Sequence, residues 1–236
     1  MRIVAMSDQH GFLPSVPPCD LLIVAGDICQ DFVDGVPAIA APAGQKGWFD
    51  SRIRAWLRAT PATYRIATWG NHDFCGQRCD FSADSPSRAS LTNLQILVDE
   101  MTHVPSMSST GASRDVAVWA TPWSNTFMEW AFMQSPRALE SVYARIPPGV
   151  DILVSHQPPF GYGDHMYTAH SGGLEHIGSH ELLRAIERVR PKLVICGHIH
   201  EARGCYEHDG IPIYNVSVVD EQYRHVHPVT EIDFEI

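Results

Sequence analysis

The sequence predicts an α/β layered fold with two sheets packed face to face, and three observations predict it. Short apolar runs rich in Ile, Val and Leu recur along the chain and read as buried strands. Helical patterns with one apolar face lie between some of them. Towards the C-terminus, strand patterns follow one another with no long helix between, so the sheet system is mixed rather than purely parallel.

The first runs are residues 2–6, 21–25, 64–69, 152–154 and 193–196. Each is followed at once by a polar cluster. These are Ser7-Asp8-Gln9-His10, Gly26-Asp27, Gly70-Asn71-His72-Asp73, Ser155-His156 and Gly197-His198-Ile199-His200. Residues 115–120, 211–219 and 231–236 are further strands. Phe49, Ile53, Trp56 and Leu57 recur at helical spacing, as do Leu182, Leu183, Ile186 and Val189. The second helix has Ser179 as N-cap, Glu181 in its first turn and Pro191 at its end. A weaker helix is expected over residues 136–144. Residues 74–88 and 157–178 read as long loops, of a length used for lids or binding loops. With no internal repeat, low-complexity tract or linker, residues 1–236 are expected to form a single domain.

Composition narrows the function classes. Hydrophobic residues make up 44% and charged residues 19%, an ordinary globular balance. The formal net charge of −10 argues against a broad basic surface for nucleic acid. A small nucleotide remains compatible, because bound metal adds local positive charge outside that count. The apolar run at the N-terminus ends within a few residues at Asp8, too short for a signal peptide, and no stretch suits a membrane span. Six scattered cysteines do not make a disulfide scaffold, so free thiols and a cytoplasmic location are expected. Cys75 and Cys79 raise the question of a zinc clip, but no second pair has matching spacing.

Ligands in open α/β sheets bind beyond the carboxyl ends of the strands. If the runs share a sheet, Asp8, His10, Asp27, Asn71, His72, Asp73, His156, His198 and His200 converge on one edge. Mixed imidazole and carboxylate groups suit Zn, Fe, Mn or Ni more than Ca or Mg. Seven plausible ligands exceed the needs of one tetrahedral ion and suit two ions sharing a carboxylate. Two ions about 3.5–4 Å apart clamp an in-line displacement at phosphorus. His198 and His200 lie two apart, on one side of an extended chain, which is a chelating spacing. Taken singly, Asp8-Gln9-His10 and Gly26-Asp27 fit ordinary turns, and His156 fits a satisfied polar residue near a core. The joint occurrence, in order and after a strand each time, carries the argument.

The series D-x-H, GD, GNHD, H and GHxH, from Asp8 to His200, resembles the calcineurin-like metallophosphoesterases. Ala120-Thr121-Pro122-Trp123 followed by Trp130-Ala131-Phe132, Ser155-His156-Gln157-Pro158-Pro159, and Gly197-His198-Ile199-His200-Glu201 are similar to the MPPED-type branch. The resemblance implies a two-sheet β-sandwich flanked by helices, with a metal centre at the C-terminal ends of the strands. It implies Asp8, His10 and His200 on one ion, Asn71, His156 and His198 on the other, and Asp27 bridging. His72 would donate to the phosphoryl or leaving oxygen, and Asp73 would orient His72. The cofactor expected is a pair of divalent or trivalent ions (Mn, Fe, Zn or Ni), with Mn the choice in vitro.

The activity implied is phosphoric ester hydrolysis by a metal-bridging hydroxide in one in-line displacement. Small nucleotide-like phosphodiesters are the favoured substrates. The alternatives are a phosphomonoesterase or protein Ser/Thr phosphatase and, more remotely, a non-catalytic metal-binding interaction module. Every ligand position carries the family's residue. The surrounding sequence departs, at Ile28-Cys29-Gln30-Asp31 and in the two cysteines after Asp73.

Five of the thirteen histidines lie in these motifs. His165, His170, His176 and His180, in or beside the second long loop, are either solvated or contacts for a phosphate or base. His225 and His227 carry no expected role. Trp123, Phe127, Trp130 and Phe132 either pack under the sheet edge or stack on a nucleobase. Arg88 is a candidate phosphate contact. Nothing in the sequence sets an oligomeric state.

Overall fold

The computed structural model describes residues 1–81, 94–107, 113–168 and 172–235. Arg2–Met6, Cys19–Ala25, Ala62–Thr68 and Leu94–Ile96 pair in parallel, and Thr230–Asp233 closes one edge antiparallel to Arg2–Met6. This is the first sheet. In the second, Ser113–Thr121, Ile152–Ser155, Leu193–Cys196 and Ile211–Asn215 run parallel, with Glu100–Met107 and Gly204–His208 antiparallel at the edges.

Period-two alternation explains how the sheets stack. Ile3, Ala5, Leu21, Ile23 and Ile66 of the first sheet meet Val116, Val118, Ile152, Val154 and Ile195 of the second in one buried cluster. The intervening residues face outwards. Val4, Met6, Leu22 and Val24 pack under Phe49, Ile53 and Leu57, while Trp119, Leu153, Val194 and Cys196 pack under Leu139, Tyr143, Leu182 and Ile186. Both faces of each sheet are covered, so the central strands read as unbroken apolar runs.

The helices follow their signals with one difference. Ser135 and Ser179 accept bonds from Ala138 N–H and Leu182 N–H and cap Pro136–Tyr143 and His180–Val189. The helical stretch around Phe49 begins earlier than the apolar pattern, at Pro42–Trp48. It passes through a π-turn, Phe49–Ile53, into Arg54–Ala59. Phe49, Ile53 and Leu57 are buried along it, at the constant four-residue spacing that a π-turn accommodates.

Three expectations change. The strand expected over 211–219 ends at Asn215, because the chain then crosses to the first sheet. Ser7 N–H donates to Val216 O and Val218 N–H to Ser7 O, which stitches the two sheets together beside Asp8. Residues 157–178 contain an antiparallel hairpin, His165–Thr168 with Gly173–His176, whose turn glycines resemble loop composition. Phe74–Arg78 is a short helix at the start of the first expected loop. Arg88 and His170 lie outside the described residues. All six cysteines are free, and Cys75 Sγ lies 3.8 Å from that of Cys29 rather than joining Cys79 in a metal clip. Among the described residues, no helix is long and apolar enough to cross a membrane.

Candidate metal centre

Asp8 and His10 follow Arg2–Met6, and Asp27 follows Cys19–Ala25. Asn71 and His72 follow Ala62–Thr68, His156 follows Ile152–Ser155, and His198 and His200 follow Leu193–Cys196. These strands are parallel within their sheets, so their ends deliver the side chains to one rim. The rim is bent hard. Asp8, His10, Asp27 and His198 all have left-handed backbone, at φ 56°, 43°, 50° and 69°. Non-glycine residues adopt that conformation at a cost, and such positions gather at functional sites. The turns are also crowded. A Cβ at Gly70 would run into the backbone and carboxylate of Asp27, and one at Gly197 into the side chains of Ser7 and Asp8. Both motif glycines are therefore required by close approach.

Three groups of potential ligands form among the described residues. They are Asp8, His10 and His200; Asp8, Asp27 and His156; and His10, Asp31 and His72, each with its ligand atoms within 4.8 Å of one another. His10 Nε2 lies 3.4 Å from His200 Nε2, which is 3.5 Å from Asp8 Oδ1. Asp27 Oδ2 is 3.3 Å from His156 Nε2 and 3.9 Å from His10 Nε2, so this carboxylate faces a histidine of its own group and one of the group that shares Asp8 with it. Asn71 Oδ1 is 2.8 Å from His156 Nε2, and the His198 ring centroid is 5.0 Å from that of His156.

These residues fit a pair of metal ions on two observations. The first is tautomer control. His10 Nδ1 donates to Asp31 Oδ1 at 3.1 Å, His156 Nδ1 to Ala25 O at 3.0 Å and His200 Nδ1 to Asp220 O at 3.1 Å. Each bond turns the ring so that Nε2 is the nitrogen presented to the cluster, as in metal-ligating histidines. The second is charge. Burial opposes ionisation of Asp8, yet the bond and charge from His200 hold it below the usual carboxylate range. Burial also opposes ionisation of Asp27, and His156 and His72 pull it well down. His156 is disfavoured as a cation by burial, but Asp27 carries it up to about 9. His198 is pushed down to about 3 by burial and by the charge on His156, so it is a neutral imidazole. The buried carboxylates thus call for positive charge, which protons supply to the bare protein and cations would supply in their place.

His72 lies beside this cluster. Its backbone N–H donates to Asp27 Oδ1 at 2.8 Å, and its Nδ1 donates to Asp31 Oδ1 at 2.7 Å. Burial works against its protonation, but Asp27 and Asp31 raise it.

Asp73 corrects an expectation. Its carboxylate does not orient His72. It accepts from Ile28 N–H at 3.1 Å, Cys29 N–H at 2.8 Å and Gly70 N–H at 2.8 Å, tying the Asp27 turn to the Asn71 turn. Burial and then the like charge of Asp27 push it up to about 6. The residue that orients His72 is Asp31, which holds His10 as well. Its only signal in the sequence was its place four residues after Asp27. Tyr223 was also missed. Its ring lies 4.6 Å from that of His10 and 4.9 Å from that of His200.

A cleft of about 800 Å³ opens over Asp27, Asn71, His72 and His198. Of the four aromatics singled out, Phe127 and Trp130 line it. Trp123 instead donates to Asp99 Oδ2 at 2.8 Å, and Phe132 is buried. His176 is bonded to Asp164 at 2.7 Å and His180 stacks on Phe160, its ring centroid 3.8 Å away. His165, His176 and His180 do not line the cleft.

The family model described as calcineurin-like phosphoesterase matches residues 1–202. The chain belongs to that family. It is 31% identical over 250 residues to human metallophosphoesterase domain-containing protein 1, covering 98% of this chain and 70% of the relative. A UPF0046 protein of Caenorhabditis elegans is 25% identical, with 95% and 77% covered. A solved crystal structure superposes with a TM-score of 0.58 at 12% identity, covering 99% of both chains, a likeness of fold. This phosphoesterase is accordingly a metal-dependent phosphoric ester hydrolase of the MPPED type. The family uses a dinuclear metal centre, and the Asp8–His10–His200 and Asp8–Asp27–His156 groups, which share Asp8, are clusters that could hold metal.

Proposed function

We propose that this phosphoesterase is a phosphodiesterase for small nucleotide-like diesters, cleaving them by a single in-line displacement in one domain over residues 1–236. The observation that carries the reading is the Asp27 carboxylate facing both His156 and His10, with His72 beside it at the wall of an aromatic-lined cleft. Asp8, His10 and His200 hold one ion, Asn71, His156 and His198 the other, and Asp27 both. When bound, the two cations activate a water and neutralise charge on the phosphoryl oxygens.

The remaining work belongs to the chain. Asp31 occupies Nδ1 of His72, so the proton for the leaving oxygen comes from Nε2. Asp31 also holds His10, coupling the proton donor to a metal ligand through one carboxylate. Phe127 and Trp130 offer faces on which a base can stack. The net charge of −10 suits a small ester better than an extended nucleic acid. The free cysteines suit a reducing compartment, so the cytoplasm is the proposed place of action.

The test compares bis-p-nitrophenyl phosphate with p-nitrophenyl phosphate on metal-stripped protein refilled with Mn²⁺. Diester cleavage that is faster than monoester cleavage, and absent in Asp27→Ala, is expected. A monoester preference would make the protein a phosphomonoesterase with the same centre. No metal-dependent turnover of either ester would favour an interaction module.

A further inference from the structure

Two clefts meet at His72. The larger, of about 800 Å³, extends over Asp27 and His198 towards Phe127 and Met166. The smaller, of about 430 Å³, is walled by Phe32, Pro37, Ala38, Ile39 and Phe74, with Asp31 in its lining. His72, Trp130 and Tyr223 line both. The Trp130 ring lies 4.4 Å from that of His72 and the Tyr223 ring 5.9 Å from it, so these three side chains form the partition.

The smaller cleft is built from residues just beyond the Asp27 turn. They form a short hairpin, Phe32–Val33 with Val36–Pro37, and a helical turn, Ala38–Ala40. Ala38 is buried, but Phe32 and Ile39 are left open to solvent, 60% and 37% exposed. Large apolar groups gathered in the open beside a polar centre mark a binding surface.

In an in-line displacement the attacking and leaving oxygens lie on opposite sides of phosphorus. Asp31 takes Nδ1 of His72, so a leaving oxygen is served by Nε2, and its substituent must pass the partition that His72 forms. We propose that the smaller cleft is the leaving-group subsite and takes an apolar alcohol, while the larger cleft keeps the half of the diester that stays on phosphorus. This rests on the phosphodiesterase reading above. The water oxygen bonds to phosphorus, and the bond from phosphorus to the alcohol oxygen breaks. That oxygen takes the proton of His72 Nε2, and the proton lost by the water restores His72 over the cycle. The products are a phosphate monoester and the free alcohol. The carboxylate of Asp31 disfavours a leaving group that carries a phosphate of its own, and Phe32 and Ile39 favour one with an alkyl or aryl body.

One test reads binding without turnover. Protein refilled with Zn²⁺ and carrying ¹³C-labelled Ile and Met methyls is titrated with 4-nitrobenzyl alcohol. The Ile39 methyl resonances are expected to shift while Met166 stays in place. Shifts confined to Met166 and Ile177, or none at Ile39 up to the solubility limit, overturn the proposal. A second test uses Mn²⁺-refilled Ile39→Asp. Its kcat/KM for bis-p-nitrophenyl phosphate should fall about tenfold or more, the range expected for losing one apolar pocket contact. Metal content, and inhibition by p-nitrophenyl phosphate, the retained half, should stay near wild type. Equal weakening of both esters, or no change, also overturns it. If the wild-type protein cleaves monoesters alone, the diester reading fails, and the Ile39 shift still decides the subsite.

Discussion

The strand Ile152–Ser155 has a buried ionisable residue just beyond each end, and the two ends behave differently. Asp151 precedes it. Its carboxylate is bonded to Arg114, accepts from Ala117 N–H at 3.0 Å and lies 3.4 Å from Lys192 Nζ. His156 follows it, and its Nε2 faces Asp27 and Asn71 among other buried imidazoles and acids. At the first end one carboxylate is matched by two cationic side chains of the chain itself. At the second the backbone is left-handed at four ligand positions, and the acids face imidazoles rather than lysine or arginine side chains. The contrast teaches that polar residues ahead of these strands stabilise the sheet, while those after them hold a site that an added cation completes.

The strongest way to break this contrast is Asp27→Ala. It removes the carboxylate proposed to serve both ions, so metal content should drop and turnover should fall to the detection limit. Full metal occupancy in Asp27→Ala, measured by elemental analysis, would sink the bridging assignment. His72→Ala should come next. It removes a proton donor and no proposed ligand, so kcat should fall by about 10²–10⁴-fold with metals retained.

A finer contrast sets two carboxylates near His72 against each other. Asp31→Asn loosens both His72 and His10, and outer partners of ligating histidines typically carry about 10–100-fold in activity or metal affinity. Asp73→Asn turns an amide towards N–H donors that a carboxylate had accepted. It should cost about 1–3 kcal/mol of stability, the usual penalty for a buried donor left unpaired. Thermal melts and kcat on the same two proteins decide it. If Asp73→Asn loses activity at unchanged stability, then Asp73 acts on the chemistry after all.

The same pair marks what was legible. The metal motifs are local in sequence, and burial on both faces turns the central strands into apolar runs, so the strands, the fold class and the gathering of polar clusters at one rim were readable. Asp73 sits next to His72 in the chain yet turns away from it. Asp31 meets His72 across 41 positions, through a turn whose left-handed residue no pattern announces. Phe127 and Trp123 are alike in composition, and only the packing sends one to the cleft and the other to Asp99. Side-chain direction after a bend is a tertiary property, and periodicity ends where the strand does.

The smallest effect on function should come from the other end of the strand. Asp151→Ala leaves Ala117 N–H, Arg114 and Lys192 without their acceptor and should cost about 1–3 kcal/mol, as for a buried hydrogen-bond partner removed. The kcat/KM should be unchanged, because the substitution lies at the end of the strand away from the rim. The pH dependence has a defined sign. Burial opposes ionisation of Asp151, but its bonds to Arg114 and Ala117 lower it below its ordinary value of 3.8. A group lowered in the folded state contributes fully above its unfolded value and loses that contribution as pH falls through the folded one. The stability gap between wild type and Asp151→Ala, read by urea unfolding of metal-free protein, should therefore be constant near neutrality and shrink only below about pH 4. A gap that closed between pH 6 and 8 would mean that a histidine, and not this carboxylate, sets the balance at the quiet end of the sheet.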